Sequence, residues 1–310
     1  MKRTMILAVI GVVAFMLHPA LGQADMGVTY SLTMASVALE LDPVEVLTGA
    51  KHVANGIALR NEARGTISLR GIPLGSTVVK AYLYWNLSNG VTTGSNTDVA
   101  YINGNRVVGT KRSDSPDPCW GNAGNHTYRA VVTSFLPRTK PNGDYEVLVD
   151  SAVSTSGQNP WTPAEAQTTR LEGATLIVVY SNAQTAANSV FLYDTLSNST
   201  FSGGNGTFVL NHPTLQVSGL FTMSGADGQR GVGNAYTNAA SNETGTFNAT
   251  QFSGPSVASS DWDGSAGWPV PQLWDVHTHQ VTLSGTTSTV VYTAGVDCLT
   301  PVVFVLQAGL

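Results

Sequence analysis

Apolar and polar side chains alternate along most of the chain, which is the pattern of β-strands with one buried face. The first alternating stretch consists of Val28, Tyr30, Leu32 and Met34, separated by polar or small residues. Its phase shifts at Ala35-Ser36, and the alternation then continues to Leu41. Such a shift predicts a bulge or a break between two strands.

Further strand patterns follow as far as the C-terminal region. They are predicted at 66–69, 78–85, 99–102, 106–108, 145–149, 174–180, 190–193, 208–210, 215–222, 277–283, 290–293 and 301–306. The continuous apolar runs at 176–179 and 302–306 predict central strands covered on both faces. Asn103-Gly104 between two apolar runs predicts a two-residue hairpin. Residues 128–136 fit either one helical turn or a strand that runs into a bend.

These patterns predict an all-β fold, namely an antiparallel β-sandwich of jelly-roll type with long loops rich in Gly, Ser and Asn. Residues 223–272 contain few apolar runs and predict long loops or a small irregular insertion. We expect an N-terminal strand segment at 25–42, followed by one sandwich domain at 43–310. Two sub-domains that meet near 200–207 are the alternative.

Residues 1–24 have the features of an export signal. Lys2 and Arg3 precede an uncharged, mostly apolar run at 5–17, and small residues follow at positions 20, 22 and 24. The run is shorter than the about 20 residues that cross a bilayer, so a transmembrane anchor is the less favoured alternative. We expect a mature chain that begins between Gln23 and Asp25, is secreted or held at the cell surface, and spans no membrane.

The charge balance excludes one class of partner. Only 11% of the residues are charged, and 15 Lys and Arg stand against 20 Asp and Glu. No basic field therefore attracts nucleic acid. An uncharged polar surface instead favours close packing between subunits or against other surface proteins.

The chain has two cysteines, Cys119 and Cys298. An even number in an exported protein predicts a disulfide between them. It would close a loop of about 180 residues and, in the chain-entropy model, stabilise the fold by about 4–5 kcal/mol. Two free thiols, or bonds between molecules, are the alternative.

The order of several short motifs is similar to that of a known domain family. The motifs are Val79-Lys80-Ala81-Tyr82-Leu83-Tyr84-Trp85-Asn86, Tyr101-Ile102-Asn103-Gly104, Tyr128-Arg129-Ala130-Val131-Val132-Thr133, Gly143-Asp144-Tyr145-Glu146-Val147, Gly173-Ala174-Thr175-Leu176-Ile177-Val178-Val179-Tyr180-Ser181-Asn182, Leu192-Tyr193-Asp194 and Leu273-Trp274-Asp275-Val276-His277-Thr278. Over about residues 65–306 the chain resembles an uncharacterised all-β domain family of large secreted and surface proteins of bacteria and archaea. Its first half also resembles the jelly rolls of galactose-binding-like domains. The resemblance implies a fold and names no catalytic group.

Two sequence patterns could hold a metal ion. His277 and His279 lie two positions apart in a predicted strand and so share a face. They could bind zinc or copper if His126, His212 or Asp275 supplied a third ligand; two solvent-facing histidines are the alternative. We expect no cofactor; the alternative is a calcium ion with Asp227, Asp261 and Asp263 as candidate loop ligands, although position 272 is not the acid that an EF-hand loop requires.

Loop-like sequence also contains aromatic residues and glycosylation sequons. The tryptophans that could stack on sugar rings are Trp120, Trp161, Trp262 and Trp268, with Trp274 nearby in the sequence; the alternative is that they close the ends of the sandwich. The sequons expected to be accessible are Asn198, Asn205, Asn242 and Asn248.

The sequence contains no G-x-S-x-G, H-E-x-x-H or phosphate-binding glycine motif. We therefore expect an exported, non-enzymatic structural or adhesive protein of the cell surface or matrix. Its N-terminal strand, Val28 to Met34, could complete the sheet of a neighbouring subunit and produce a fibre. A secreted carbohydrate-binding module is the alternative function. A secreted hydrolase is the third, with Glu146, Glu172 and Asp194 as its candidate carboxylates.

Overall fold

The computed structural model describes residues 38–60, 62–89, 97–116, 124–149, 169–195, 200–201, 205–228, 243–252, 262–267, 273–295 and 298–309. These residues form β-strands joined by turns, with short 3₁₀ turns at Thr133–Phe135 and Ser265–Gly267. The strands are β1 (Leu39–Leu41), β2 (Glu45–Thr48), β3 (Lys51–Ala58), β4 (Arg64–Leu69), β5 (Thr77–Asn89), β6 (Val99–Ile102), β7 (Asn105–Val108), β8 (Thr110–Ser115), β9 (Gly124–Val131), β10 (Gly143–Val149), β11 (Thr169–Ser181), β12 (Asn188–Asp194), β13 (Thr200–Phe201), β14 (Asn205–Asn211), β15 (Ser218–Ala226), β16 (Thr244–Phe247), β17 (Thr250–Gln251), β18 (Trp274–Thr282), β19 (Thr287–Thr293) and β20 (Cys298–Gly309). The all-β prediction is confirmed.

The strands form four sheets that stack as successive layers. Sheet 1 has the order β4-β10-β6-β7, sheet 2 β3-β11-β5-β9-β8, sheet 3 β18-β15-β20-β12-β2, and sheet 4 β1-β14-β19-β16-β17. One apolar core lies between sheets 1 and 2, and another lies between sheets 3 and 4. A third apolar cluster joins sheets 2 and 3. The described residues therefore form two sandwiches of mainly antiparallel sheets, and the two sandwiches share a buried face.

The chain passes from the first sandwich to the second between Ser181 and Asn188. The second sandwich also takes β1 and β2 from the N-terminal side. Leu41 lies in its core, and β1 pairs with β14 in parallel, whereas the other strand pairs of the described residues are antiparallel. The segment around Leu39 to Leu41 is thus an integral part of the second sandwich.

The strongest strand patterns agree with the structure. Residues 176–179 lie in β11 between β3 and β5, and residues 302–306 lie in β20 between β12 and β15. Asn103 and Gly104 have φ of 47° and 75° and join β6 to β7, as a type I′ hairpin requires. Residues 128–136 are a strand that ends in the 3₁₀ turn at 133–135, so the strand alternative is correct there.

Candidate functional site at the junction of the sandwiches

The face between sheets 2 and 3 has an apolar centre. It is built from Tyr82, Tyr84, Ile177 and Val179 on one side and from Val190, Leu192, Val302, Val303, Val305 and Trp274 on the other. Trp274 is fully buried and lies over Gly56 and Gly173, where an added Cβ would come within 2.8 Å of the indole. Only glycine lets the indole approach the backbone this closely, so the two strands that carry these glycines are shaped around Trp274.

Charged side chains flank this apolar centre at the β12 end. Asp194 accepts hydrogen bonds from Tyr84 Oη at 2.8 Å and from Arg112 Nε at 2.5 Å, and Arg129 Nη1 lies 3.4 Å away. Burial, reinforced by the Asp194 charge, raises the pKa of Tyr84 well above its usual value. Next to this cluster, Glu45 of β2 accepts hydrogen bonds from Lys80 and Tyr82. Burial opposes ionisation of Glu45, but these hydrogen bonds outweigh it and lower its pKa.

A second charged cluster lies at the other side of the junction. Arg60 follows β3 and donates through Nη2 to Glu172 and to Asp227 Oδ1, the latter at 3.0 Å. All three side chains are buried. Burial opposes the charge on Arg60, but the two carboxylates outweigh it and raise its pKa. Arg60 and Glu172 belong to the first sandwich and Asp227 to the second, so this cluster is also a link between them.

In both clusters, positively charged side chains of the first sandwich pair with negatively charged side chains of the second. The first sandwich supplies the cations that bridge the junction, and the second supplies the anions. The bridging cations are Arg60, Lys80, Arg112 and Arg129, and their partners in the second sandwich are Glu45, Asp194 and Asp227. Complementary charges of this kind determine how two surfaces align more than how tightly they bind each other.

One histidine lies within the junction itself. His52 of β3 is buried; its backbone N–H donates to Gln307 Oε1 at 2.9 Å, its Nδ1 lies 3.0 Å from the same oxygen, and its Nε2 lies 2.7 Å from Thr222 Oγ1. Gln307 and Thr222 belong to sheet 3. Burial lowers the pKa of His52 to about 4, only partly opposed by the hydrogen bond that the ring makes to Gln307 Oε1.

A third group of ionisable side chains surrounds the start of β18. Asp275 and His277 lie two positions apart on this strand, and Asp263 lies just before the 3₁₀ turn at 265–267. All three are buried. His277 Nε2 lies 2.8 Å from Ser265 Oγ, 3.4 Å from Asp275 Oδ1 and 3.6 Å from Asp263 Oδ1. Among the described residues this is the group of His, Cys, Asp and Glu side chains whose ligand atoms come close enough to hold a metal ion.

Backbone geometry holds this group in place. Asp275 Oδ1 accepts the backbone N–H groups of Asp263 and Ser265, each at 3.2 Å, and Ser265 N–H also lies 3.1 Å from Asp263 Oδ1. Gly264 between them has a φ of 65°, a conformation that favours glycine. The loop therefore curls around the carboxylate of Asp275 and brings Asp263 to His277.

The structure places the metal candidates in two different environments. Asp263 joins Asp275 and His277, so the third ligand expected for His277 is Asp275. Asp227 instead lies in the ion pair with Arg60, and Asp261 falls outside the described residues. His279 does not share the site, because its ring stacks on Phe252 with centroids 4.1 Å apart.

The interpretation of Trp262 as a sugar-stacking residue is wrong. Its side chain is 1% exposed and packs on Tyr292 in the core of the second sandwich, because the bare backbone of Gly225 leaves room for the ring. Trp274 is buried as well. Both tryptophans therefore fit the alternative interpretation, in which they close the core. Trp120, Trp161 and Trp268 lie outside the described residues.

Of the remaining sequence candidates, the structure describes Asn205, Asn248 and Cys298. Asn205 is exposed at the start of β14, whereas Asn248 lies in the β16–β17 turn and bonds through its amide to Thr282 O and Thr289 N. Cys298 begins β20. The candidates outside the described residues are Cys119, Asn198, Asn242 and the strand residues Val28, Tyr30, Leu32 and Met34. The Cys119–Cys298 disulfide therefore stays a prediction.

The three candidate hydrolase carboxylates all form ion pairs. Glu172 pairs with Arg60, Asp194 pairs with Arg112, and Glu146 lies on the surface 3.8 Å from Arg64. Sequence reasoning missed Arg60, Arg112, Arg129 and His52. The sequence did contain a signal for the missed arginines. Glu172 and Asp194 stand beside long apolar runs, and a charge buried there needs a partner of opposite charge.

Comparisons with known proteins give little similarity. No family model matches the chain, and no curated protein matches it. Two solved structures of PNGF-II, in different space groups, are similar to it with 10% and 8% identity and a TM-score of 0.24 each. In both cases the similarity covers 82% of this chain and 61% of PNGF-II, so the chain spans less than two thirds of that protein. None of the described helical segments is long and apolar enough to cross a membrane.

Proposed function

We propose that the protein is an exported, non-enzymatic structural or adhesive component of the cell surface or matrix, and that its subunits join by strand addition. The observation that carries the proposal is the exposed apolar edge of sheet 3 at β2. Val46 in this strand and Val44 just before it are 47% and 40% exposed. Within the described residues, β2 pairs on one side only, with β12.

Soluble proteins usually protect an exposed sheet edge with charged side chains. Edge strand β8 follows this rule, because Lys111 and Asp114 lie exposed on it. The charged residue of β2, Glu45, is instead turned toward the first sandwich, where it contacts Lys80 and Tyr82. The exposed side chains of β2, Val46 and Thr48, are therefore uncharged, and the strand belongs to a four-layer body.

The partner that we propose for β2 is the N-terminal strand of a second copy. Val28, Tyr30, Leu32 and Met34 alternate with small or polar residues, so an extended strand would carry them on one face, and the stretch from 28 to 34 contains no charged residue. Strand addition gains affinity from backbone hydrogen bonds and specificity from alternate side chains. A contact between the N-terminus of one copy and β2 of the next is heterologous, and it grows into a filament if its rotation does not close a ring.

Replacing Val46 by lysine is expected to abolish assembly while leaving the fold intact. A solvent-facing lysine protects an edge strand, and a surface substitution changes the free energy of unfolding by no more than about 0.5 kcal/mol. The matched control is Val217→Lys, since Val217 is 70% exposed just before β15 and away from β2. Light scattering and thermal unfolding of both variants provide the measurement. Assembly of Val46→Lys equal to that of Val217→Lys would refute the role of β2.

A further inference from the structure

Asp263, Asp275 and His277 form a donor set with the geometry of a metal site. In a four-coordinate zinc site the bonds to nitrogen and oxygen measure about 2.0–2.2 Å, which places tetrahedral ligand atoms about 3.3–3.6 Å apart. His277 Nε2 lies 3.4 Å from Asp275 Oδ1 and 3.6 Å from Asp263 Oδ1. The ligand atoms of all three side chains lie within 4.8 Å of one another. An ion could thus enter with small adjustments of the side chains.

The contacts at His277 do not match a catalytic triad. In a triad one imidazole nitrogen faces the hydroxyl and the carboxylate orients the opposite nitrogen. Here Ser265 Oγ and the two carboxylate oxygens all approach the same nitrogen, Nε2. Three oxygen atoms close to a single nitrogen fit a set of metal ligands better than the relay of a triad.

Charge and position favour the same conclusion. Asp263 and Asp275 are both 0% exposed, and charges buried in proteins are either paired or coordinate metal ions. The backbone N–H groups of Asp263 and Ser265 hold Asp275 Oδ1 in position, which is the kind of second-layer support that orients metal ligands.

We propose that Asp263, Asp275 and His277 bind a divalent transition-metal ion of the Zn²⁺ type. The fourth position belongs to the Ser265 hydroxyl or a water molecule. Calcium fits less well, since it takes six to eight oxygen ligands whereas this site offers an imidazole nitrogen and few oxygens. The site lies where β18 meets the 3₁₀ turn at 265–267, which also contacts β3. Bound metal would thus tie a loop of the second sandwich beside the first.

The test uses the mature chain, residues 25–310, freed of metal with a chelator and titrated with Zn²⁺. We expect one equivalent of Zn²⁺ per chain, a higher melting temperature with Zn²⁺, and no displacement by excess Ca²⁺. His277→Gln keeps a polar group beside Ser265 but removes the imidazole. Because loss of a supporting group alone weakens metal affinity by about 10–100-fold, we expect this variant to bind Zn²⁺ at least about 100-fold more weakly.

His279→Gln is the matched control, since His279 lies two residues away and stacks on Phe252. It is expected to keep one equivalent of Zn²⁺ and the metal-dependent rise in melting temperature. Melting in chelator separates folding from binding, because wild type and His277→Gln should then unfold at similar temperatures. The proposal is overturned if wild type binds no stoichiometric Zn²⁺, or if His277→Gln keeps wild-type affinity. It is equally overturned if Ca²⁺ displaces Zn²⁺.

Should His277→Gln unfold even in chelator, Asp263→Asn provides the second variant. It keeps the side-chain oxygen near Ser265 N–H and removes one charge. Loss of the Zn²⁺-dependent rise in melting temperature supports the site, and an unchanged rise refutes it. Assembly is not part of these readouts, so the metal site and the proposed function can fail separately.

Discussion

Replacing Arg60 by methionine is expected to lower the free energy of unfolding by about 3–5 kcal/mol, because it leaves two buried carboxylates without their guanidinium. Glu172 and Asp227 both accept hydrogen bonds from Arg60 Nη2. Methionine fills much of the same space, so the loss reports charge rather than volume. Urea unfolding at pH 7, followed by tryptophan fluorescence, measures it.

Arg64→Met is the matched control for this prediction. Arg64 and Glu146 are 3.8 Å apart, and both side chains are more than half exposed. A surface pair of this kind contributes about 0–1 kcal/mol. Adding Glu172→Gln and Asp227→Asn to Arg60→Met should recover part of the lost stability, because the buried charges then disappear together. A loss for Arg60→Met no larger than that for Arg64→Met would show that the cluster does not stabilise the junction.

Lowering the pH from 7 to 4 is expected to remove about 3 kcal/mol of stability through His52 alone. Its pKa is about 4 in the folded protein and 6.5 as a free side chain. Between these values the unfolded chain binds a proton that the folded protein does not, so stability is present above pH 6.5 and is lost as the pH falls. Each unit of difference corresponds to about 1.4 kcal/mol.

Comparison with His52→Gln isolates this contribution from that of the carboxylates. Glutamine cannot take up the proton, and it can still hydrogen-bond to Thr222 or Gln307. The wild-type loss between pH 7 and pH 4 should therefore exceed the loss of the variant by about 3 kcal/mol. Unfolding curves at half-unit pH intervals measure both, and parallel curves for the two proteins would contradict a buried neutral His52.

Alternation and continuous apolar runs were enough to predict the fold class. Both patterns report directly whether one or two faces of a strand are buried, so residues 176–179 and 302–306 were correctly predicted as central strands. Asn103-Gly104 was equally clear, because few residue pairs adopt positive φ at two successive positions. In these cases the local sequence determines the local structure.

The stacking of two sandwiches was harder to predict from the sequence. Tyr82, Tyr84 and Ile177 lie on the face of sheet 2 that points away from sheet 1. The apolar pattern of the sequence predicts that this face is buried, but it does not predict that sheet 3 covers it. Short polar strands were missed for a related reason. In Lys51–Ala58, for example, the alternation of apolar and polar residues is weak. Asn55 takes part in strand pairing and Gly56 lets Trp274 approach the backbone, but neither adds an apolar side chain to a core.

The candidate metal site shows what spacing can and cannot predict. The sequence pointed to His277 through its spacing from His279 and offered Asp275 as one of three candidate third ligands. In the structure Asp275 and His277 share a face because they lie two positions apart on β18. Asp263 lies 12 residues before Asp275, in a loop whose course depends on Gly264 and on hydrogen bonds to Asp275. A loop contact of this kind depends on tertiary structure, and no periodic pattern of residues in the sequence indicates it.

Negative-stain electron microscopy of the mature chain, residues 25–310, tests the proposed function most directly. We expect elongated head-to-tail assemblies at high protein concentration. We also expect deletion of residues 25–34 to abolish them while the remaining domain still melts cooperatively. Uniform monomers at high concentration, or filaments that persist after the deletion, would contradict subunit joining by the N-terminal strand.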